Sequence, residues 1–389
     1  MVENVQVSNA LMPNEVMDYD NTTNAGEYFF LDRELNKDYV LEAEKNDDYG
    51  NGISTVDLIA IQRHILGVEL LDSPYKLIAA DVNADGQVNA TDLVELRKLI
   101  LGIYTELPQN DSWRFVDADA TLDINNPWNF DESIEIANLS SDLNDEDFIG
   151  VKIGDVNLSA VPNALTSSTE FKSGNVVDIE IPNLQVEAGQ TFEVAVNANL
   201  TDLYGYQFTM NTPGLQLVDV SAGSVNVTDA NFGVFGDVIT TSWNTTNGIS
   251  TNGEMFTMTF KSTVSGNVAD MLNVNDNITN AEAYIGSDLE IVDIAIDSRE
   301  ASAQFALHQN EPNPFSANTV IGFVMGEAAD ATFTVYDVTG KVIITKNGNY
   351  AKGYNTITLS KSELGATGVL HYQISSGDFT ATKKMIVIE

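Results

Sequence analysis

Asp81-Val-Asn83-Ala-Asp85-Gly86-Gln87-Val-Asn89-Ala-Thr-Asp92 is the stretch that decides how this chain is read. Oxygen-bearing side chains occupy positions 1, 3, 5 and 12 of the twelve, and a glycine stands at position 6. A hard cation asks for this pattern: about six to eight oxygen ligands at about 2.3–2.6 Å, with a residue that tolerates positive φ where the loop reverses. Gln87 offers its backbone carbonyl at position 7, and Asn89 can hold a water at position 9. Asp92 opens a helix and closes the shell from its first turn, where negative charge is favoured. An Asx-rich turn can arise by chance in an acidic chain, but every position fits and a helix follows. The spacing therefore assigns a calcium site.

A second copy lies upstream. Aligning Asp57 with Asp92 sets Asn46, Asp48, Gly50, Asn51 and Gly52 over Asp81, Asn83, Asp85, Gly86 and Gln87. The helices that follow also superpose, Leu58 to Gly67 over Leu93 to Gly102, each with apolar residues at i, i+3 and i+7 and a glycine at its end. The first loop departs from the pattern, with Gly50 in place of the position-5 carboxylate and Asn51 in place of the glycine. Its ligand set reads Asn46, Asp48, Gly50, Gly52 and Asp57, a weaker site or one completed by a neighbour such as Asp47.

Two loop-plus-single-helix units of this kind resemble a type I dockerin module. The resemblance implies Ca2+ as cofactor and a cohesin partner. That partner would be met through Thr55, Val56, Ala90 and Thr91, with Gln62, Arg63, Arg97 and Lys98 on the helices. The plainer reading of Arg63, Arg97 and Lys98 is that they solvate helix faces. His64 aligns with Leu99 and reads as a boundary histidine, not a ligand.

The 389 residues carry a net charge of −39 and no cysteine. That length suggests about three or four domains, and the lack of cysteine excludes a disulfide framework and thiol chemistry. Residues 305–389 hold six lysines against seven acids, while the remainder holds twelve basic against fifty acidic residues. The contrast marks a boundary near 304. The acidic body repels nucleic acid and anionic membrane and suits divalent cations. No apolar run is long enough to span a membrane, and the N-terminus lacks a signal-peptide pattern.

Residues 1–45, with an alternating stretch at 25–44 that predicts a half-buried hairpin, are similar to part of a transthyretin-like or carboxypeptidase-regulatory sandwich. The chain then reads as the C-terminal part of a longer exported protein. Residues 46–157 form the dockerin-like module with an extension similar to those in secreted proteins of the Bacteroidota. In that extension Trp113, Phe115, Trp128 and Phe148 read as core in preference to a sugar platform. Asp155-Val-Asn157 repeats the start of Asp81-Val-Asn83 without the rest of a loop, so no third calcium site is assigned there. Residues 158–174 read as a linker.

From 175 to 297 short β-runs are broken by Gly, Asn and Asp: Thr191 to Val196, Gly205 to Met210, Val238 to Trp243 and Met255 to Phe260. They predict a sandwich of jelly-roll type, and their order resembles a cohesin domain. Tyr204, Tyr206 and Trp243 read as sandwich core before ligand contacts. After a linker with a cleavage region at 298–304, residues 305–389 carry Pro312-Asn313-Pro314-Phe315, an Asp337-Val-Thr-Gly340-Lys341 hairpin and a terminal Lys383-Lys384-Met385-Ile386-Val387 strand. These resemble the type A sorting domain of the type IX secretion system. The resemblance implies recognition by that machinery and its sortase, proteolytic removal of the tail, and a secreted protein or one anchored to the outer-membrane surface.

The expected fold is multidomain and mainly β: two antiparallel sandwiches, a partial N-terminal one, and a small α-helical EF-hand-like module. No nucleophile–base arrangement, phosphate loop or histidine metal motif stands out, so no catalytic residue is assigned. Two functions remain. One is a calcium-stabilised surface module for protein contact or adhesion, its dockerin-like and cohesin-like parts meeting within one chain or between copies. The other is an accessory part of a secreted polysaccharide-degrading or proteolytic enzyme, with a glycan as a possible partner and catalysis upstream. Chelation is expected to lower the melting temperature of residues 36–157 and to leave the isolated 305–389 sandwich unmoved, with Asp92→Ala removing most of that shift. A melting curve unchanged on adding calcium to the apo protein would overturn the loop assignment.

Overall fold

The computed structural model describes residues 1–12, 15–163, 172–297, 306–310, 312–325, 328–351, 353–377 and 379–388. The cleavage region at 298–304 therefore lies outside the described residues, as do 164–171 of the linker expected at 158–174.

The chain opens with β1 (Gln6–Leu11), β2 (Glu15–Asn21) and β3 (Tyr39–Glu44). Three helices follow, α1 (Thr55–Ile65), α2 (Pro74–Ala80) and α3 (Ala90–Ile100), then β4 (Trp113–Asp117), β5 (Ser133–Ile136) and β6 (Phe148–Lys152). The first sheet has the order β2-β1-β3-β5, and β4 pairs with β6. Its edge strand β5 thus comes from beyond the helices. Val5, Val7, Trp113 and Phe115 form a shared core under it.

The hairpin expected over 25–44 is half present. Tyr39–Glu44 is a strand, but 25–38 carry none. There the Phe29 N–H donates to the Asp20 carboxylate at 2.7 Å and the Tyr28 hydroxyl donates to the Glu146 carbonyl. Tyr28 and Phe30 pack on the shared core. The alternation reports side-chain burial without a ladder.

Each of α1 and α3 has an acid in its first turn, Asp57 and Asp92, and basic residues in its last. Both arrangements suit the helix dipole. Their apolar stripes meet across Leu58, Ile61, Leu96, Leu99 and Ile100, with Ile78 of α2 beneath them. Helix α2 lies between the repeats and starts at Pro74, a residue suited to a first turn.

The central sandwich contains β7 (Lys172–Glu180), β8 (Gln185–Val186), β9 (Thr191–Asn211), β10 (Leu215–Ala222), β11 (Phe232–Phe235), β12 (Val238–Ser262), β13 (Gly266–Asn267), β14 (Asn273–Asn275), β15 (Glu282–Ile285) and β16 (Glu290–Asp297). The main path runs β10-β12-β9-β15-β16-β7, with β16 and β7 parallel. The four sequence runs named above are halves of just two strands, β9 and β12, which stay paired over their length. Register shifts at Asn244/Ile249, Ile249/Thr251 and Glu254/Phe256 interrupt the ladder. Such irregularities bend strands and raise twist, which is why polar breaks in the sequence look like strand ends. Tyr206, Phe208, Trp243 and Phe256 stack in the core, with ring centroids about 6 Å apart.

The tail holds β17 (Ala306–Leu307), β18 (Asn318–Met325), β19 (Ala329–Tyr336), β20 (Val342–Tyr350), β21 (Gly353–Ser360), β22 (Gly368–Ser376) and β23 (Phe379–Val387). They form sheets of order β17-β18-β21 and β20-β19-β22-β23 over one core. Asp337 turns the β19–β20 hairpin by accepting from the Thr339 and Lys341 N–H groups at 2.8 and 3.0 Å. No helix among the described residues is long and apolar enough to cross a membrane.

Tyr372 is fully buried in the tail; its hydroxyl accepts from the Asn310 N–H at 2.9 Å and donates to the His308 carbonyl at 2.8 Å. Tyr372→Phe removes that bridge without leaving a large cavity. Urea denaturation of the full chain is expected to show the tail weakened by about 1–3 kcal/mol.

Candidate functional site

The loop that follows α2 is held by its own carboxylates. Asp81 accepts the Asp85 and Gly86 N–H groups at 3.0 and 2.9 Å on its two oxygens. The Asn83 side-chain oxygen also accepts from the Asp85 N–H at 3.1 Å, and Asp85 accepts from Gln87 at 3.0 Å. Asp92 reaches back from α3 to accept the Asn83 and Asn89 N–H groups at 3.3 and 2.8 Å. Ala84 and Gly86 both take positive φ, 56° and 78°.

Asp81 and Asp92 are buried, and none of Asp81, Asp85 and Asp92 makes an ion pair among the described residues. Burial, together with the Asp92 and Asp85 charges, pushes the Asp81 carboxyl up to about 6. Burial likewise raises Asp92. Among the described residues no three His, Cys, Asp or Glu side chains cluster tightly enough to ligate a metal by themselves. A calcium loop does not need that, because amide and backbone oxygens complete its shell. The residues present fit the ion: the carboxylates of Asp81, Asp85 and Asp92 act on one another, and Asn83 adds an amide oxygen and Gln87 a backbone carbonyl at the loop's seventh position. Asn89 instead caps α3, accepting the Thr91 N–H at 2.8 Å.

The first loop is arranged differently. The Asn46 side-chain oxygen accepts from the Ser112 N–H at 2.9 Å and from the Tyr49 hydroxyl. Asp48 and Gly50 are exposed, and Asp47 pairs with Lys45 at 3.0 Å. Asp57 is fully buried, and its carboxylate accepts N–H groups from Ser54, Val156 and Asn157 at 3.0, 2.9 and 3.2 Å. Its partners are thus the N-cap residue of its own helix and a segment far downstream. Asp57 comes together with neither Asn46 nor Asp48 in any hydrogen bond among the described residues.

Helix α1 packs against the central sandwich. The Thr55 N–H donates to the Gln207 side-chain oxygen at 2.7 Å, and the Thr55 and Ser242 hydroxyls meet at 2.7 Å. Val56, Ile59, Tyr284 and Ile291 form one buried cluster bridging helix and sheet. Gly205 makes the approach feasible: a Cβ there would stand 3.2 Å from Ile59 and Thr55 side-chain atoms and 2.9 Å from the Trp243 carbonyl.

Arg63 lies over the Tyr204 ring at 4.9 Å, pairs with Glu69 at 3.2 Å and donates to the Ser287 carbonyl at 3.4 Å. Asn244 accepts from Arg97 and donates to the Gln62 side-chain oxygen at 2.7 Å. The Thr240 hydroxyl donates to the Leu101 carbonyl at 2.6 Å. Of the residues named from sequence as partner-binding, Thr55, Val56, Gln62, Arg63 and Arg97 meet the sandwich. Ala90 and Thr91 stay exposed, and Lys98 stays with Glu95 and Tyr104 in its own module.

Gln207, Ser242 and Asn244, on the sandwich side, were not legible in the sequence. They are ordinary polar residues in or beside apolar runs, and only their contacts with α1 and α3 set them apart. Trp113, Phe115, Tyr206 and Trp243 are core residues. His64 accepts the Leu71 N–H at 3.1 Å.

In the tail, Pro312 offers its carbonyl to Asn310 and Thr319 at 3.1 and 2.9 Å. The Asn313 side chain accepts from the Ile386 N–H at 2.8 Å. Phe315, next to Pro314, is buried and exchanges backbone hydrogen bonds with Ile386 and Ile388 at 3.0 and 2.9 Å. The start of the tail is thereby stitched to its last strand. The Lys384 carbonyl accepts from Gln309 at 2.8 Å, and Lys383 lies opposite Tyr372 in the β22–β23 ladder.

Residues 46–101 match the Dockerin type I domain, and residues 312–388 match the Secretion system C-terminal sorting domain. The sorting domain indicates a secreted or cell-surface protein. No curated protein matches the chain. Similar solved structures include a type I cohesin–dockerin complex of Clostridium thermocellum. It is 15% identical, covers 32% of this chain and 100% of that one, and has a TM-score of 0.25. A non-cellulosomal cohesin of Archaeoglobus fulgidus is 21% identical over 32% of this chain and 86% of that one, with a TM-score of 0.23. Dimeric latent PorU of Porphyromonas gingivalis is 15% identical over 57% of this chain and 19% of that one, with a TM-score of 0.20. At these TM-scores the likenesses carry no argument about this chain.

The Gln207 contact is open to a direct comparison. Gln207→Leu leaves the buried Thr55 N–H without an acceptor and is expected to destabilise the chain by about 1–3 kcal/mol in chemical denaturation. Thr91→Ala, at an exposed position, should stay within about 0.5 kcal/mol.

Proposed function

We propose that this chain is an exported, non-catalytic contact module, stiffened by calcium, whose dockerin-type helices occupy its own cohesin-like sandwich. The burial of Thr55, Val56, Ile59 and Arg63 against Gln207, Ser242, Tyr284 and Ile291 carries this reading. Thr55, Val56 and Arg63 are among the positions through which the dockerin resemblance implies partner binding, Ile59 adds to the apolar cluster, and the occupant and the surface would belong to one chain. An ion at Asp81, Asn83, Asp85, Asp92 and the Gln87 carbonyl would supply positive charge for carboxylates that have no basic partner among the described residues. The module lacks disulfides, so this neutralisation is its means of holding a surface-displayed shape.

Such a module presents a fixed body outside the cell, with its first helix closed to other partners and Ala90 and Thr91 of the second left exposed for contact or adhesion. The tail would be recognised by the secretion machinery and removed by its sortase, with the remainder joined to the outer-membrane surface. Ile59→Asp tests the internal contact by burying a charge in the apolar cluster. Small-angle scattering with size-exclusion chromatography is expected to give a concentration-independent monomer for the parent and an expanded monomer for the variant. A parent dimer that Ile59→Asp converts to monomer would assign the contact to two copies, and an unchanged radius would remove the clasp.

A further inference from the structure

The segment after β6 repeats three backbone-to-side-chain hydrogen bonds of the first half of the Asp81 loop. Asp155 accepts the Ser159 and Ala160 N–H groups at 3.0 and 2.9 Å, as Asp81 accepts those of Asp85 and Gly86. The Asn157 side-chain oxygen also accepts from Ser159 at 3.0 Å, as Asn83 does from Asp85. Leu158 takes φ of 62°, matching Ala84 at 56°. Val156 is buried like Val82. The loop then stops at what would be its sixth position, Ala160.

The second half comes from the other repeat. A Cβ on Gly52 would stand 2.5 Å from the Ala160 backbone, so the two chain segments touch where an uninterrupted loop would continue from position 6 to position 7. The Gly52 carbonyl, at position 7, accepts the Ser159 hydroxyl at 3.0 Å. Asn51 binds both the N–H and the carbonyl of Val161 at 2.8 Å, clamping the junction. Asp57, at position 12, accepts the Asn157 N–H at 3.2 Å, as Asp92 accepts that of Asn83 at 3.3 Å.

Two further observations ask for a ligand. The Ser54 hydroxyl, at position 9, belongs to a residue only 3% exposed and has no hydrogen-bond partner among the described residues, although the same residue's N–H touches the Asp57 carboxylate. Buried polar atoms left this way are uncommon. Asp57 and Asp155 are both buried, and neither makes an ion pair among the described residues. The buried Lys152 ammonium donates to the Tyr49 carbonyl at 3.2 Å instead. Two buried carboxylates facing each other are costly unless positive charge compensates both of them.

We propose that Asp155, Asn157 and Ser159, with the Gly52 carbonyl, Ser54 and Asp57, form a second calcium-type divalent-cation site split between two distant segments. The ion then fastens the 153–163 strap to the first turn of α1, so the insertion carrying β4, β5 and β6 is closed by metal at its base. This replaces the contiguous set Asn46, Asp48, Gly50, Gly52 and Asp57 by one that keeps only Gly52 and Asp57. It rests on the calcium-stabilised reading of the module, and it is independent of whether α1 docks in cis.

Calcium titration of the chelated full chain by isothermal calorimetry tests it. Two ions are expected, with one lost in Asp155→Asn, one lost in Asp81→Asn and both kept in Asp48→Asn. Asn157→Ala and Ser54→Ala, which leave both carboxylates in place, should each weaken a single binding step, the former by at least about tenfold. These two variants keep the test decisive if Asp155→Asn does not fold: unchanged affinities in both would overturn the site. Loss of an ion in Asp48→Asn but not in Asp155→Asn would restore the contiguous loop. One ion in the parent, lost only in Asp81→Asn, overturns the split site and leaves calcium stabilisation standing; no ion at all overturns both.

Discussion

The Asp57 carboxylate is the hinge on which the arrangement turns. It is fully buried, and it gathers N–H groups from its own helix and from a segment 99 residues downstream. A carboxylate in that position is tolerated only when hydrogen bonds and positive charge compensate it. By accepting the Ser54 N–H it also closes the first turn of α1, as a capping-box acid does. By accepting from Val156 and Asn157 it brings the strap 153–163 home, and the strap in turn holds the N-terminus, where the Glu3 N–H reaches the Pro162 carbonyl at 3.0 Å. One side chain thus sets the start of a helix, the return of an insertion and the seat of the first sheet.

What Asp57 anchors at one end, the sandwich grips along the rest. Helix α1 presents Thr55, Val56, Ile59 and Arg63 in succession, a polar contact first, an apolar cluster next and a cation–aromatic contact last. The basic residues that cross the boundary, Arg63 and Arg97, find a carbonyl and an amide oxygen there, not a carboxylate of the sandwich. A face built this way depends on shape and buried hydrogen bonds more than on net charge. That is a sensible solution for a chain in which both sides are acidic, since long-range attraction between them is not available.

Much of this was legible in the residues. The Asp81 loop, the two helices with acidic first turns, and the Asp337 hairpin of the tail are local structures. Their hydrogen bonds join residues a few positions apart, so spacing and residue type carry them. The half-present hairpin at 25–44 shows the limit of that logic. Tyr28 and Phe30 alternate because they bury, but the core they reach contains Trp113 and Phe115, and no ladder is required. The breaks inside β9 and β12 show it again, because polar interruptions that read as strand ends are bulges within two long paired strands.

The first metal loop marks the boundary most clearly. Sequence alone determined that Asp57 is a ligand-type acid at the start of a helix, that a loop precedes it, and that Asp155-Val-Asn157 echoes the better copy. It also determined the composition that makes a cation welcome. Only the tertiary structure decided which oxygens Asp57 faces, because alignment within a repeat presumes that neighbours in sequence are neighbours in space. Here the chain runs on from α1 through α2, α3, β4, β5 and β6 before Val156 and Asn157 return to the Asp57 carboxylate. Whether α1 meets its own sandwich was likewise undecidable from pattern, since burial at Thr55, Val56 and Ile59 depends on a surface more than a hundred residues away.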